Sequence, residues 1–115
     1  MRKAPTGATR DTENTKPQYE GYLSPIVLWK FGQYMLKHQS QADGVTRSSD
    51  NWQKGMPRPW YADSMYRHFI DVMLFHDNHP ELMTESIEEA LCALLFNVQG
   101  YLHEVLLNRS VKDGE

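Results

Sequence analysis

The sequence predicts a small all-α domain of three to four helices behind an extended N-terminal arm, assembled as an oligomer. Three observations support this. Apolar residues recur at helical spacing in three separate segments beyond residue 24, two of them introduced by a capping serine. No segment reads as a strand. The last helix is apolar on most sides, more than a 115-residue chain with three helices can cover. The expected layout is an arm at 1–23, a helical domain at 24–109 and a disordered tail at 110–115.

The arm carries Gly7, Thr9, Asp11, Asn14 and Pro17 and few apolar residues. Such a stretch lacks the means to build regular structure. Arg10, Lys16, Tyr19 and Tyr22 are scattered through it. It reads either as a loosely ordered tail or as an arm that folds over a site.

The first helix should begin at Ser24-Pro25. Serine caps the orphan N–H groups, and proline fits the first helical position because its missing N–H is not needed there. Val27, Phe31 and Tyr34/Met35 then share one face, and the helix should fade near His38. A polar loop follows over 39–56, holding Gly44, Ser48, Ser49, Asp50 and Gly55. It is long for a compact domain, and such loops are often functional. The second helix should span roughly 61–76, with Ala62, Met65, Phe69, Val72 and Met73 as its core stripe. At about 100° per residue, Ser64, His68 and Asp71 align along one flank of that stripe. Asp77-Asn78-His79-Pro80 ends it.

The third helix should run over 85–107. Ser86 with Glu89 fits a capping box, with Thr84 as the alternative cap. Ile87, Leu91, Leu94, Val98, Leu102 and Val105 form a continuous apolar stripe. Phe96, Ala93, Cys92 and Gly100 occupy the opposite side. The expected cover is a second copy of the chain, giving a homo-oligomer through this helix. Gly100 costs about 1 kcal/mol relative to alanine in a helix interior, which close helix–helix approach would explain.

Composition narrows the function classes. The formal net charge is −3, the pI is about 5.9, and no Lys/Arg-rich run occurs. Duplex nucleic acid is therefore not an expected partner, because its binding rests on neutralising many phosphates. A single nucleotide needs only two or three placed cations. Cys92 is the one cysteine, which excludes an intramolecular disulfide and suits a reducing compartment. The opening residues 1–5 lead into polar sequence rather than the apolar core of a signal peptide. The longest purely apolar run, 91–96, is far short of the ~20 residues that span a bilayer. A cytoplasmic protein without a membrane partner is expected.

No phosphate-binding P-loop, glycine-rich dinucleotide turn or recognisable Ser/His/Asp set is found. Nor is the Glu-Glu-x-x-Glu then Glu-x-x-Asp order of the all-helical nucleotide pyrophosphatases. His76-Asp77 is an adjacent pair without assignable companions. Arg67-His68-x-x-Asp71 is more informative. His68 and Asp71 lie one turn apart and can face one ligand. Histidine can bind a metal or exchange a proton near neutral pH, and aspartate can share the metal or orient the ring. Arg67 can grip phosphate with two donors. Alternatively, His68 and Asp71 bond each other or a neighbouring loop.

Glu88 and Glu89 open the third helix. They either complement the helix dipole, or one of them joins Asp71 around Mg²⁺ or another hard cation. Asn97 lies among Leu94, Leu95, Phe96 and Val98 and needs a partner, whether a ligand or a group across an interface. Asp50-Asn51-Trp52-Gln53-Lys54-Gly55 combines amides, an aromatic plate and a cation. Trp52 either stacks on a base, with Lys54 on a phosphate, or pins the loop to the core.

Several segments together carry a resemblance. They are Thr6-Gly7-Ala8-Thr9-Arg10-Asp11-Thr12, Lys16-Pro17-x-Tyr19, Leu23-Ser24-Pro25, Asn51-Trp52-x-x-Gly55, Arg67-His68 and Ala90-Leu91-Cys92-Ala93-Leu94-Leu95-Phe96-Asn97. In order and spacing they resemble a phage and bacterial family named as the N-terminal domain of dATP/dGTP diphosphohydrolases, over about residues 6–107. The resemblance implies a helical nucleotide-handling domain. On it, Arg10 and Lys16 are phosphate contacts from the arm, Trp52 lines the base pocket, and Arg67, His68 and Asn97 face the ligand. Many members carry a His-x-x-His on the last helix. The stretch Glu88-Glu89-Ala90-Leu91-Cys92 stands there instead, leaving carboxylates and Cys92 as substitutes.

The expected function is a metal-dependent pyrophosphohydrolase acting on purine deoxynucleoside triphosphates, using Mg²⁺ or Mn²⁺. His68, Asp71 and Glu89 are its expected catalytic residues, and Asp71, Glu88 and Glu89 its metal ligands. Arg10, Lys16, Asn51, Trp52, Lys54, Arg67 and Asn97 are expected to bind substrate. The alternatives are a phage protein that sequesters a nucleotide or nucleotide-derived signal, and an assembly protein using the apolar last helix.

Overall fold

A computed structural model describes residues 2–10, 15–40 and 43–107. Two-residue strands β1 (Arg2–Lys3) and β2 (Thr9–Arg10) precede the helices α1 (Tyr19–Tyr22), α2 (Pro25–Lys37), α3 (Arg58–His76) and α4 (Ile87–Leu107). Short 3₁₀ turns at Asn51–Lys54 and Pro80–Leu82 lie before α3 and between α3 and α4. The chain is a small, mostly helical domain.

Residues 2–10 form an antiparallel hairpin with Lys3 opposite Thr9, where the sequence suggested no strand. Two residues per strand are too few to show alternation, and every residue of the hairpin is exposed. Gly7 supplies the positive φ of 92° that its turn requires. The expected tail at 110–115 lies outside the described residues.

α2 starts as its sequence dictates: the Ser24 hydroxyl accepts from the Val27 N–H at 3.3 Å, with Pro25 in the first position. α3 starts at Arg58, three residues ahead of the expected position. Pro57 precedes it and Pro59 fits within its first turn, where no N–H is needed. α4 is capped by Ser86, whose hydroxyl accepts from the Glu89 N–H at 3.1 Å. The Glu89 side chain is engaged with α2, and Thr84 turns to α3 instead of capping.

α3 and α4 run antiparallel and form the frame of the domain. Arg58 Nη2 donates to the Glu104 carbonyl at 3.4 Å at one end, and Asp71 holds Thr84 at the other. α2 lies more loosely against α4.

The face of α4 turned toward α3 is Ala90, Ala93, Asn97, Gly100 and Glu104, all buried. Most of the stripe expected to be core is exposed instead, Leu91 at 49%, Val98 at 43% and Leu102 at 53%, while Ile87 and Leu94 are half-buried. Likewise Phe69 and Met73 of the expected α3 stripe are exposed, while Tyr61 and Asp71 are buried. The reason is steric. The Tyr61 ring sits where a Gly100 side chain would be, 2.3 Å from an ideal Cβ. Small residues admit that approach, whereas leucines would hold the helices apart.

The long aliphatic side chains therefore line an open apolar groove of about 470 Å³, bounded by Ala62, Met65, Tyr66 and Phe69 on one side and Leu94, Val98 and Tyr101 on the other. Among the described residues, α4 is the one helix long and apolar enough to cross a membrane by length and composition. Core helices of globular domains meet the same criterion, and 33% of that apolar stretch is buried.

Candidate metal centre

His68 and Asp71 occupy successive turns of α3 on the flank that faces the segment leading into α4. Asp71 is 3% exposed. Its Oδ1 accepts from the Thr84 N–H at 3.1 Å and its Oδ2 from the Thr84 hydroxyl at 2.6 Å. A buried carboxylate needs such donors, and they fix its two oxygens in place. His68 Nδ1 directly contacts Glu85 Oε1, both groups being half-buried. One ligand atom from each of His68, Asp71 and Glu85 lies within 4.8 Å of the others.

Around a single cation, ligand atoms at about 2.1 Å from the metal stand roughly 3–4 Å apart. The trio would have to close up from its present separation of up to 4.8 Å to share one cation. A mixed nitrogen and oxygen set suits Mn²⁺ or Zn²⁺ better than Mg²⁺, which favours oxygen ligands. The donor set is therefore of a kind that could hold a transition-metal dication, which would require His68 and Glu85 to part.

Glu85 was not among the expected ligands. It stands one residue before the Ser86 cap, in a stretch whose local pattern speaks only of helix initiation. Glu88 and Glu89 lie elsewhere. Glu89 accepts a 3.0 Å bond from Lys37 and lies 3.8 Å from His38, and Glu88 is 3.9 Å from Lys30. Hydrogen bonding from Lys37 holds the Glu89 carboxyl below its usual range, opposed by a smaller cost of burial.

Lys30, Lys37, Glu88 and Glu89 line a second cavity of about 130 Å³ between α2 and α4, together with Gln33, Tyr34 and Cys92. The Tyr34 hydroxyl is pushed up to about 12, first by burial and then by the negative charges of Glu85 and Glu89. Tyr34 therefore stands within the field of both the trio and the lysine cavity. Burial likewise raises the Cys92 thiol, which favours the protonated, unreactive form.

The other expected site residues are spread along the molecule. Trp52 packs edge-on against Phe96 and His103, with ring centroids at 6.3 and 4.9 Å. It pins the loop to α4. Phe96 is nine residues into α4 from Ile87, about 14 Å along a helix rising 1.5 Å per residue. Asn97 is 6% exposed, and its Nδ2 donates to the Ala93 carbonyl of its own helix at 2.8 Å. Asn51 is half-buried beside Trp52, and Lys54 is exposed in the same 3₁₀ turn. Arg67 is exposed on α3, one residue round the helix from His68. Arg10 and Lys16 are exposed on the arm. The structure brings His68 and Asp71 together with Glu85, and sets Trp52 and Asn97 well along α4 from them.

Comparisons with protein-family models, with curated proteins and with solved structures found no match.

Proposed function

We propose that this chain is a metal-dependent hydrolase that converts a purine deoxynucleoside triphosphate to its monophosphate and pyrophosphate. The observation that carries the reading is the His68–Asp71–Glu85 trio, three potential ligands from two segments converging at a half-buried point. The choice of nucleotide rests on the motif resemblance over residues 6–107. Of the expected pair Mg²⁺ and Mn²⁺, the mixed donor set favours Mn²⁺.

Bound there, the cation would withdraw charge from a phosphate and raise the acidity of water. Water oxygen would bond to the α-phosphorus as the bond from that phosphorus to the bridging oxygen breaks; the bridging oxygen leaves with pyrophosphate, and the water's proton is released to solvent. Asp71, clamped by Thr84, keeps its carboxylate from swinging. Arg67, on the neighbouring position of α3, would supply a guanidinium for the negative charge that develops on phosphate oxygens. Tyr34 remains protonated at neutral pH and serves as a neutral donor. Glu89 holds Lys37 in position rather than binding the cation.

One observation favours a second reading, a protein that holds a nucleotide without cleaving it. His68 with Glu85, and Asp71 with Thr84, already satisfy one another without a cation. Incubation with each deoxynucleotide plus Mn²⁺, followed by mass spectrometry of the protein-bound and free fractions, separates the two. Release of dAMP or dGMP with pyrophosphate is the expected result. Intact nucleotide retained by the protein would replace hydrolysis with sequestration, and neither outcome would remove the nucleotide from both readings.

A further inference from the structure

We propose that α2 is a salt-sensitive lid, held on the first turns of α4 by charged pairs, which opens as a unit while the α3–α4 pair stays folded, and that Cys92 is the group it uncovers. The two neighbours of α4 are held in different ways. α3 packs so closely that Tyr61 leaves no room for a Cβ at Gly100. On α2, by contrast, Phe31 is the one buried residue. Ile26 is 74% exposed, Trp29 62% and Leu36 62%. Little apolar surface therefore leaves water when α2 docks, and little resists its departure.

Charged contacts do most of the holding. Lys30 Nζ lies 3.9 Å from Glu88, Lys37 Nζ 3.0 Å from Glu89 and His38 3.8 Å from Glu89. All three join α2 or its C-terminal cap to the opening of α4. Exposed pairs of this kind each contribute little and are screened by salt. The fit between the two helices is also incomplete, since it leaves the cavity of about 130 Å³. Few buried contacts and a loosely filled interface are the marks of an element that opens below the free energy of global unfolding. Cys92 lines that cavity and is 7% exposed, so lifting α2 brings its thiol into water. Tyr34 travels with α2, away from the charges of Glu85 and Glu89 that act on it when the lid is closed. The lid needs neither cation nor nucleotide, and stands or falls apart from the proposed reaction.

The test follows the reaction of Cys92 with methyl methanethiosulfonate, a small uncharged thiol reagent. The full chain is used, and rates are taken relative to the urea-unfolded chain at the same salt. Raising NaCl from about 0.05 to about 0.5 M should speed the folded chain's reaction about three- to tenfold. Lys37→Gln removes the shortest pair, and should speed the reaction about threefold at low salt and weaken its response to salt. The slowest-exchanging backbone amides of α3 and α4 should be unaffected by either change. If the variant does not fold, the wild-type salt series decides. A wild-type Cys92 that reacts only as fast as those slowest amides open, as fast as in the unfolded chain, or without response to salt would overturn the lid.

Discussion

Gly100→Ala is expected to destabilise the protein by about 2–3 kcal/mol, the scale of overpacking in a close-packed interior. The sign is the diagnostic part. In an exposed helix interior the same change should stabilise by about 1 kcal/mol, because alanine is the better helix former. Here the added Cβ would lie 2.3 Å from Tyr61 Cε1 and 2.7 Å from Cζ. Tyr61 is 1% exposed, so its ring has nowhere to go without parting α3 from α4. Urea unfolding of the two proteins gives the difference directly. A second substitution, Tyr61→Leu, should relieve the overlap and recover part of the loss. Equal or greater stability of Gly100→Ala alone would mean that the two helices stand farther apart than described.

The second large effect concerns activity. Glu85→Gln keeps the shape of the side chain but removes the charge that a cation needs. It should lower nucleotide hydrolysis by at least about 100-fold, beyond the range typical for groups that only support metal ligands. Glu89→Gln should cost less than about tenfold, because Glu89 meets Lys37 and His38 and acts on the site through Lys37. The comparison is informative because the sequence pattern favours Glu89, whereas the geometry favours Glu85. Steady-state rates of the two variants with Mn²⁺ settle the order. A larger loss in Glu89→Gln would move the reacting centre to the lysine cavity.

Much of the fold is legible in the sequence where local chemistry decides it. Ser24-Pro25 and Ser86 mark the helix starts because capping needs only the residues next to it. Gly100 signals close approach because its cost in a helix interior calls for a tertiary reason. The direction of α4 is not legible in the same way. Its leucine stripe and its small-residue stripe are both continuous. Hydrophobicity favours burying the leucines, whereas the Tyr61–Gly100 contact turns the small residues inward. In this chain the leucines Leu91, Leu95 and Leu102 are left exposed as a result.

The candidate site divides similarly. His68 and Asp71 share a helix flank, so their spacing of three residues reveals them. Glu85 reaches them only because the Asp71–Thr84 bonds fold the connecting segment back onto α3. Lys30 and Lys37 meet Glu88 and Glu89 across a helix pair, and no local pattern links residues so far apart in the chain. Trp52 has the composition of a base-stacking residue, but its contacts with Phe96 and His103 are those of a loop anchor.

On the proposed function, His68, Asp71 and Glu85 hold one divalent cation. Titration of the purified protein with Mn²⁺, followed by the loss of the free-ion electron paramagnetic resonance signal, tests it without dependence on any substrate. One Mn²⁺ bound per chain, lost in Glu85→Gln and retained in Glu89→Gln, is the predicted result. A wild-type protein that leaves the Mn²⁺ signal unchanged, or a Glu85→Gln variant that binds as the wild type does, would contradict it.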